Sequence, residues 1–390
     1  MLFTIGLLGL AGIVVAGGPY QVGSTTATDL LAASSLAKLT LYAAYNQGST
    51  SCTLQNVAIR REWGTLSSAN KIAYINAMKC LMAKPSLLNP VEVPGAKNRF
   101  DDFVAVHINQ TIFIHGTANF LSWHRYFTYA FEQALRNECG YTGYQPYWNW
   151  GKYAHDPLNS PIFDGSATSV SGNGDYVPHS CTNGLPTGLN CIPPGTGGGC
   201  VTNGPFANMS VNLGPIAPTL DAPGVVPATS LLAYNPRCLR RDISSWVSSN
   251  WTKDSDSFDL ITNYPTILSF QNRMQGDFAA GFYGVHTGGH FIIGGDPGGD
   301  LFASPGDPAF YLHHAQIDRT WWIWQNQNPA ARTNAIGGAT LPEFLGPSPN
   351  GTLADLLDLG VVSPAAGVVP IADVMSIVGT GGGPLCYIYL

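Results

Sequence analysis

The chain has 390 residues, 45% of them hydrophobic and 11% charged, with a net charge of −6. That is apolar material for one sizeable core, and no charge block, low-complexity linker or fixed-period repeat divides it. No basic stripe favours nucleic acid as a partner, and 45 Gly with 28 Pro point to much irregular chain between regular elements.

Residues 2–16, LFTIGLLGLAGIVVA, are too short a run for a comfortable membrane span and match the length of a signal-peptide core. The run lacks the usual positive start, but small residues and Gly17-Gly18-Pro19 follow it. Residues 1–18 are therefore expected to be a secretory signal and 19–390 a single domain, secreted and extracellular. No other stretch is apolar enough for a membrane span. Eight cysteines, at 52, 80, 139, 181, 191, 200, 238 and 386, fit up to four disulfides, and spacing alone does not pair them. Sequons at Asn109, Asn208, Asn250 and Asn350 are glycan acceptors in that pathway. Asn109 is not expected to be used, because it lies in a histidine-rich segment.

After the leader, residues 27–45 and 54–83 read as helices. Within the second, Leu66-Ser67-Ser68 precedes an apolar-periodic run and offers a serine cap. Residues 100–138 give two helical stretches broken near Gly116-Thr117, and 141–235 read as loop with short strands. Helical patterns return over 265–293 and 307–326, and from 337 the chain is loop-rich to its CYIYL end. The expected fold is mainly α, a helical centre wrapped in long loops with a few short strands.

The chain has nine histidines, at 107, 115, 124, 155, 179, 286, 290, 313 and 314, and seven of them fall into two clusters. The first holds His107, His115 and His124. The helical stretch from Phe120 to Leu135 points His124 inward among Phe120, Phe127 and Phe131, where an unpartnered imidazole is costly and a metal would supply the partner. The second opens with His286-Thr-Gly-Gly-His290, whose four-residue spacing puts both rings on one helix face. Gly288 and Gly289 weaken that helix by ~1 kcal/mol each relative to alanine, which suggests close approach of another backbone segment. Asp307 followed by Pro308 reads as a capped helix start. On that helix His313 and His314 stand about 100° apart, so one is expected to face an ion and the other to pack beside it. A lone histidine is as often a core residue as a ligand, but two groups of three are poorly explained that way. Imidazole-only sites suit copper, zinc or iron, and three ligands per ion leave positions open for chemistry or gas binding.

His115-x4-Phe120-Leu-x-Trp123-His124-Arg125, with Glu132 beyond it, resembles the copper A signature of tyrosinases. Asp307-Pro-x-Phe310-Tyr-x-x-His314-x-x-x-Asp318 resembles the copper B signature shared by tyrosinases and haemocyanins. Pro146-Tyr-Trp-Asn149-Trp150 is similar to the family's PYWDW segment, and RREWGTLS and GGGPLCYIY look like short secreted fungal members. The resemblance covers nearly all of the chain after the leader. It implies a four-helix core holding two copper ions, the first on His107, His115 and His124, the second on His286, His290 and His314. It selects His314 over His313, makes Asp318 a carboxylate that orients a ligand imidazole, and suggests a structural ion pair between Arg125 and Glu132. The activity it implies is oxidation of small phenolic substrates with O2 as co-substrate.

Three departures narrow that activity. Phe113 stands where many members carry the cysteine of a thioether to the second copper A histidine. Phe270-Gln-Asn-Arg-Met-Gln275-Gly is similar to the family's FRxxLEG segment, with Gln275 in place of a glutamate that assists monophenol deprotonation; a neutral amide cannot be that base. Thr287 follows His286, where strong monophenolases often carry Asn, and Asp277 is a rival for the base role. Gln275, Thr287 and Asp318 are thus the expected catalytic-site residues outside the ligand set, with Phe291 and residues 355–364 as expected pocket walls. The expected enzyme is a catechol oxidase acting on o-diphenols and o-aminophenols, with weak or absent monophenol hydroxylation. A full tyrosinase is the alternative, and a haemocyanin-like O2 carrier is less favoured. A zinc hydrolase lacks a carboxylate base beside the HxxxH pair. Because the chain ends soon after CYIY, no C-terminal shielding domain is expected.

Overall fold

The structure is a computed structural model that describes residues 20–46, 52–53, 56–181, 191–364, 367–379 and 382–390, so the expected leader lies outside the described residues. In chain order the helices are α1 (Thr26–Asn46), α2 (Ser68–Ala83), α3 (Arg99–Ile114), α4 (Phe120–Cys139), the single turn α5 (Trp150–Tyr153), α6 (Ser245–Trp251), α7 (Asp254–Asn263), α8 (Ile267–Gln275), α9 (Gly284–Ile293), α10 (Ala309–Gln327) and the single turns α11 (Pro329–Arg332) and α12 (Ala372–Met375). The strands β1 (Ala58–Arg60), β2 (Ser210–Val211), β3 (Arg237–Cys238), β4 (Leu356–Leu357), β5 (Val369–Pro370) and β6 (Tyr387–Tyr389) are two or three residues long. They pair as β1 with β6 in parallel, and β2 with β3 and β4 with β5 antiparallel. The fold is mainly α with loops and short strands, as the sequence indicated.

Local chemistry sets the helix ends. Ser67 accepts the Asn70 N–H at 3.2 Å and starts α2, while Asn98 and Asp101 form a capping box for α3. Gly140, at φ 67°, ends α4 in the left-handed conformation that favours glycine. The helix expected over 54–83 starts only at Ser68: within the described residues 56–67, β1 and a 3-10 turn at Trp63–Thr65 precede it. Ala58 sits opposite Tyr387, a partner too distant in sequence for local periodicity to reveal. The 265–293 stretch is broken between α8 and α9, where a Cβ on Gly284 would stand 2.4 Å from the Met274 carbonyl oxygen. The helices α6 and α7 are additional to the sequence reading.

The axis of the core is α10, buried without a break from Ala309 to Asn326. Asp307 caps it through the Ala309 N–H at 2.8 Å and also grips Arg241 with two bonds of 2.8 and 2.7 Å. At the other end Arg125 of α4 binds Asp318 at 2.5 Å, the carbonyl of Met375 at 2.7 Å and Gln325 at 2.9 Å. Glu132 pairs with Arg60 of β1 at 2.9 Å. The expected Arg125–Glu132 pair is therefore replaced by two pairs reaching outside the helix, because each buried charge finds a partner on a neighbouring element. The four disulfides are Cys52–Cys386, Cys80–Cys139, Cys181–Cys191 and Cys200–Cys238. All four sequon asparagines are exposed, so Asn109 is not buried by its histidine-rich surroundings. Among the described residues no helix is long and apolar enough to cross a membrane.

Candidate metal centre

Four helices bring seven imidazoles together. His107 lies on α3, His115 caps its C-terminus and His124 lies on the first turns of α4. One ring nitrogen of each is committed to a backbone carbonyl: His107 Nδ1 to Phe302 at 2.8 Å, His115 Nδ1 to Thr111 at 2.9 Å and His124 Nδ1 to Phe120 at 2.8 Å. A carbonyl only accepts, so each Nδ1 carries the proton and each Nε2 keeps its lone pair. The Nε2 atoms of His107 and His124 are buried and have no hydrogen-bond partner. Ligating atoms of these three residues lie within 4.8 Å of one another.

The second group is His286 and His290 of α9 with His313 and His314 of α10, again within 4.8 Å. Both nitrogens of His286 and Nδ1 of His314 are buried without partners, while His290 Nε2 and His314 Nε2 stand 3.2 Å apart. His314 stacks on His124 with ring centroids 4.6 Å apart, which joins the two groups. Burial lowers the proton affinity of all seven imidazoles, His115 to about 4 and His290 to about 3. They are neutral at neutral pH, the state that binds metal. Orphaned nitrogens converging in two groups, with neither thiolate nor carboxylate among them, fit a pair of copper ions.

Both His313 and His314 stand in the second group, and the His313 ring lies close against α9, its centroid 4.6 Å from that of His290. The reason is Gly289: a Cβ there would stand 2.1 Å from His313 Cε1 and 2.3 Å from its Nδ1. Gly289 therefore admits this ring, and Gly288 lets the end of α6 come close, with Trp251 Cβ 3.1 Å, Thr252 Cγ2 3.3 Å and the Trp251 carbonyl oxygen 3.9 Å from where its Cβ would be. Trp150 backs His313 at 5.4 Å.

Asp318 does not orient an imidazole. Its oxygens accept from Arg125, from Tyr387 at 2.6 Å and from Tyr389 at 2.5 Å, and backbone carbonyls perform the orienting role instead. Gln275 and Thr287 do come together. The Gln275 side-chain oxygen accepts the Gly116 N–H at 2.8 Å, and its backbone carbonyl accepts the Thr287 hydroxyl at 2.6 Å. This links the residue after His115 to the residue after His286. Asp277 accepts the Ala280 N–H at 3.2 Å and caps an exposed turn. Phe291 packs on Tyr283 at 5.4 Å, and the 355–364 segment lies along α3, where the Asp358 carbonyl accepts from Gln110 at 2.8 Å.

Among the rings against the imidazoles are Phe120, 4.8 Å from His286, and Phe310, 4.2 Å from His314. Each precedes a histidine of the same helix by four residues, a spacing that marks one helix face and identifies them from sequence. His115, Thr287 and His290 are half-buried and Gly116 is exposed, whereas His107, His124, His286, His313 and His314 are buried. The centre therefore opens to solvent along that edge. His179 and His155 stand elsewhere, the first between Asp242 and the Val177 carbonyl, the second against Tyr20.

Residues 97–327 match the family model described as the common central domain of tyrosinase. The chain is 42% identical over 299 residues to the tyrosinase-like protein orsC of Emericella nidulans, covering 74% of this chain and 79% of that protein. It is 39% identical over 339 residues to tyrosinase P of Aspergillus terreus, covering 85% and 91%. It is 35% identical over 352 residues to the N-acetyl-6-hydroxytryptophan oxidase ivoB of Emericella nidulans, covering 87% and 93%. Among solved structures, a point mutant of a polyphenol oxidase from Thermothelomyces thermophila superposes with a TM-score of 0.85 at 41% identity, covering 94% of this chain and 98% of that one.

Proposed function

The chain belongs to the tyrosinase family, and from that premise we propose that it is a dinuclear copper oxidase converting o-diphenols to o-quinones with O2 and hydroxylating monophenols weakly or not at all. In this reading His107, His115 and His124 hold one copper and His286, His290 and His314 the other. His314 is preferred to His313 because it stacks on His124 between the two groups. Copper, when bound, supplies the electron path from phenol to O2. In balance, two o-diphenols and one O2 give two o-quinones and two waters.

The chain's own residues prepare that reaction. Carbonyl bonds fix three imidazoles as Nδ1–H tautomers, and burial keeps the set uncharged, so no proton competes for the lone pairs. Phe120 and Phe310 exclude water and present flat apolar surface to an aromatic ring, which arrives at the half-buried edge between His115 and His290.

The observation that carries the choice of substrate is Gln275. It is a neutral amide at the mouth, and its oxygen is committed to the Gly116 N–H. It accepts no proton from a monophenol, and Asp277, the nearby carboxylate, is turned into its own cap. The o-aminophenols, which lose the same two electrons, are included as substrates. The four disulfides support passage through an oxidising compartment, consistent with a secreted enzyme. The test is copper-loaded protein given monophenols, catechols and o-aminophenols in air, with copper counted per chain. Two coppers, rapid catechol oxidation and slow tyrosine oxidation are expected. Oxidation of tyrosine as fast as catechol, without a lag, would overturn the choice.

A further inference from the structure

We propose that the tip of the 337–351 hairpin, Pro342 to Leu345, is the specificity-determining rim of the substrate mouth, holding the non-reacting substituent of a bulky, uncharged, apolar o-diphenol. The proposal rests on the o-diphenol oxidase reading and adds the substrate's other end.

The hairpin is rooted in both walls of the mouth. The Gly337 carbonyl accepts the Gln271 side-chain amide of α8 at 2.7 Å, and the Ala339 carbonyl accepts the Ala118 N–H, three residues after His115, at 2.8 Å. Its two strands are tied by Thr340 N–H to the Pro349 carbonyl and by Gly351 N–H to the Gly338 carbonyl, both 2.9 Å. At the tip Pro342 is buried, and its Cβ stands 3.7 Å from where a Gly116 Cβ would be. Gly116 is the exposed residue directly after His115. The tip is therefore fixed beside the opening rather than free in solvent.

What it displays there is apolar. Phe344 is 77% exposed and Leu345 46% exposed, and Phe344 is only two residues from Pro342, at most ~7 Å of chain. Two residues before His115 in the chain, Phe113 is 46% exposed. A single exposed apolar side chain is ordinary, but three within three residues of Pro342 or His115 in the chain offer contact area to whatever extends from the reacting ring. Glu343, exposed between Pro342 and Phe344, sets the charge preference: it repels a carboxylate-bearing substituent.

The test compares wild type with the doubly substituted Phe344→Ser, Leu345→Ser protein, both full-length and copper-loaded, on catechol and 4-tert-butylcatechol. The KM for 4-tert-butylcatechol relative to catechol is expected to rise about fivefold in the variant, with kcat for 4-tert-butylcatechol within about twofold and melting temperature and copper count held. A KM ratio that does not move, or a loss carried by kcat, overturns the rim. Wild-type protein with two coppers that oxidises neither catechol would remove the oxidase reading itself, and the rim with it.

Discussion

Replacing Gly289 with alanine should dismantle the second histidine group while leaving the first intact. The added Cβ would stand 2.1 Å from His313 Cε1 and 2.3 Å from Nδ1. Non-bonded carbons rest about 3.5 Å apart, so ring or helix must move by more than ~1 Å. The imidazole has little room to do so, with Trp150 5.4 Å behind it and His290 4.6 Å in front, centroid to centroid. Overpacking of this kind costs about 1–3 kcal/mol, and alanine returns ~1 kcal/mol of helix propensity. The net stability loss is therefore small, ~0–2 kcal/mol, and the displacement itself is the larger consequence. His290 and His314 share the space that His313 must vacate into, so the second copper should be lost or held at least ~10-fold more weakly, 1.4 kcal/mol. Gly288→Ala is the control: its Cβ meets Trp251 and Thr252 at 3.1 and 3.3 Å, which a shift of tenths of an ångström relieves. Metal analysis after dialysis should give one copper for Gly289→Ala and two for Gly288→Ala. Two firmly held coppers in the Gly289 variant would refute the idea that the glycine exists to admit the His313 ring.

Asp318→Asn should leave Arg125 buried without its counter-charge and cost about 3–5 kcal/mol, read from urea titrations, while the folded protein keeps two coppers. A loss under ~1 kcal/mol, or copper loss from folded protein, would mean that Asp318 serves the metal after all. The His179 ring meets acceptors at both nitrogens, the Val177 carbonyl at 2.7 Å and Asp242 at 2.8 Å, so the full bond set needs the cation. Burial disfavours that charge, but the Val177 carbonyl and Asp242 outweigh it and raise the pKa above the ordinary 6.5. The stabilisation is then complete below about pH 6.5 and lost as pH rises through the higher folded value. The melting-temperature advantage of wild type over His179→Gln should shrink from pH 6 to pH 9, and an advantage independent of pH would show the ring to be neutral. Gln275→Glu keeps an acceptor for the Gly116 N–H and adds a base, so the ratio of monophenol to catechol turnover should rise by about tenfold or more. An unchanged ratio in a variant with two coppers would remove Gln275 as the determinant.

The parts of this fold legible in sequence are those written in local chemistry. Ser67, Asp307 and the break at Gly116-Thr117 mark helix ends through caps and turns, and the HxxxH spacing and the two histidine clusters follow from helical period. What local pattern does not carry is pairing between distant segments. The β1–β6 strand pair made residues 54–67 look helical, since a three-residue strand has too little alternation to compete with a helical reading. Arg125 and Glu132 share a helix face and suggested a pair, yet each takes a partner from another element, Asp318 and Arg60. The close seat of the His313 ring against α9 is not legible either, because a wheel drawn for an isolated helix cannot register the space left by a glycine on the facing one.

The same distribution of charge explains why the centre is uncharged. Three buried carboxylates lie on or just before the two long histidine-bearing helices, Glu132, Asp307 and Asp318, and each is consumed by a buried arginine: Arg60, Arg241 and Arg125. Burying such pairs carries a desolvation cost that their attraction barely offsets, so they add little net stability. Their effect is to tie the helices to β1, to the Arg241 segment and to the carbonyls of Val374 and Met375, and among the described residues no carboxylate joins either imidazole group. The orienting bonds to His107, His115 and His124 come from backbone carbonyls, which are dipoles and not charges. A carboxylate in that role would add negative charge and favour the higher oxidation state of a bound metal, whereas a neutral imidazole set leaves both states of copper within reach. The helices are thus fixed by charge at the periphery and the histidines by dipoles at the centre, an arrangement suited to a metal pair that must gain and lose electrons in every cycle.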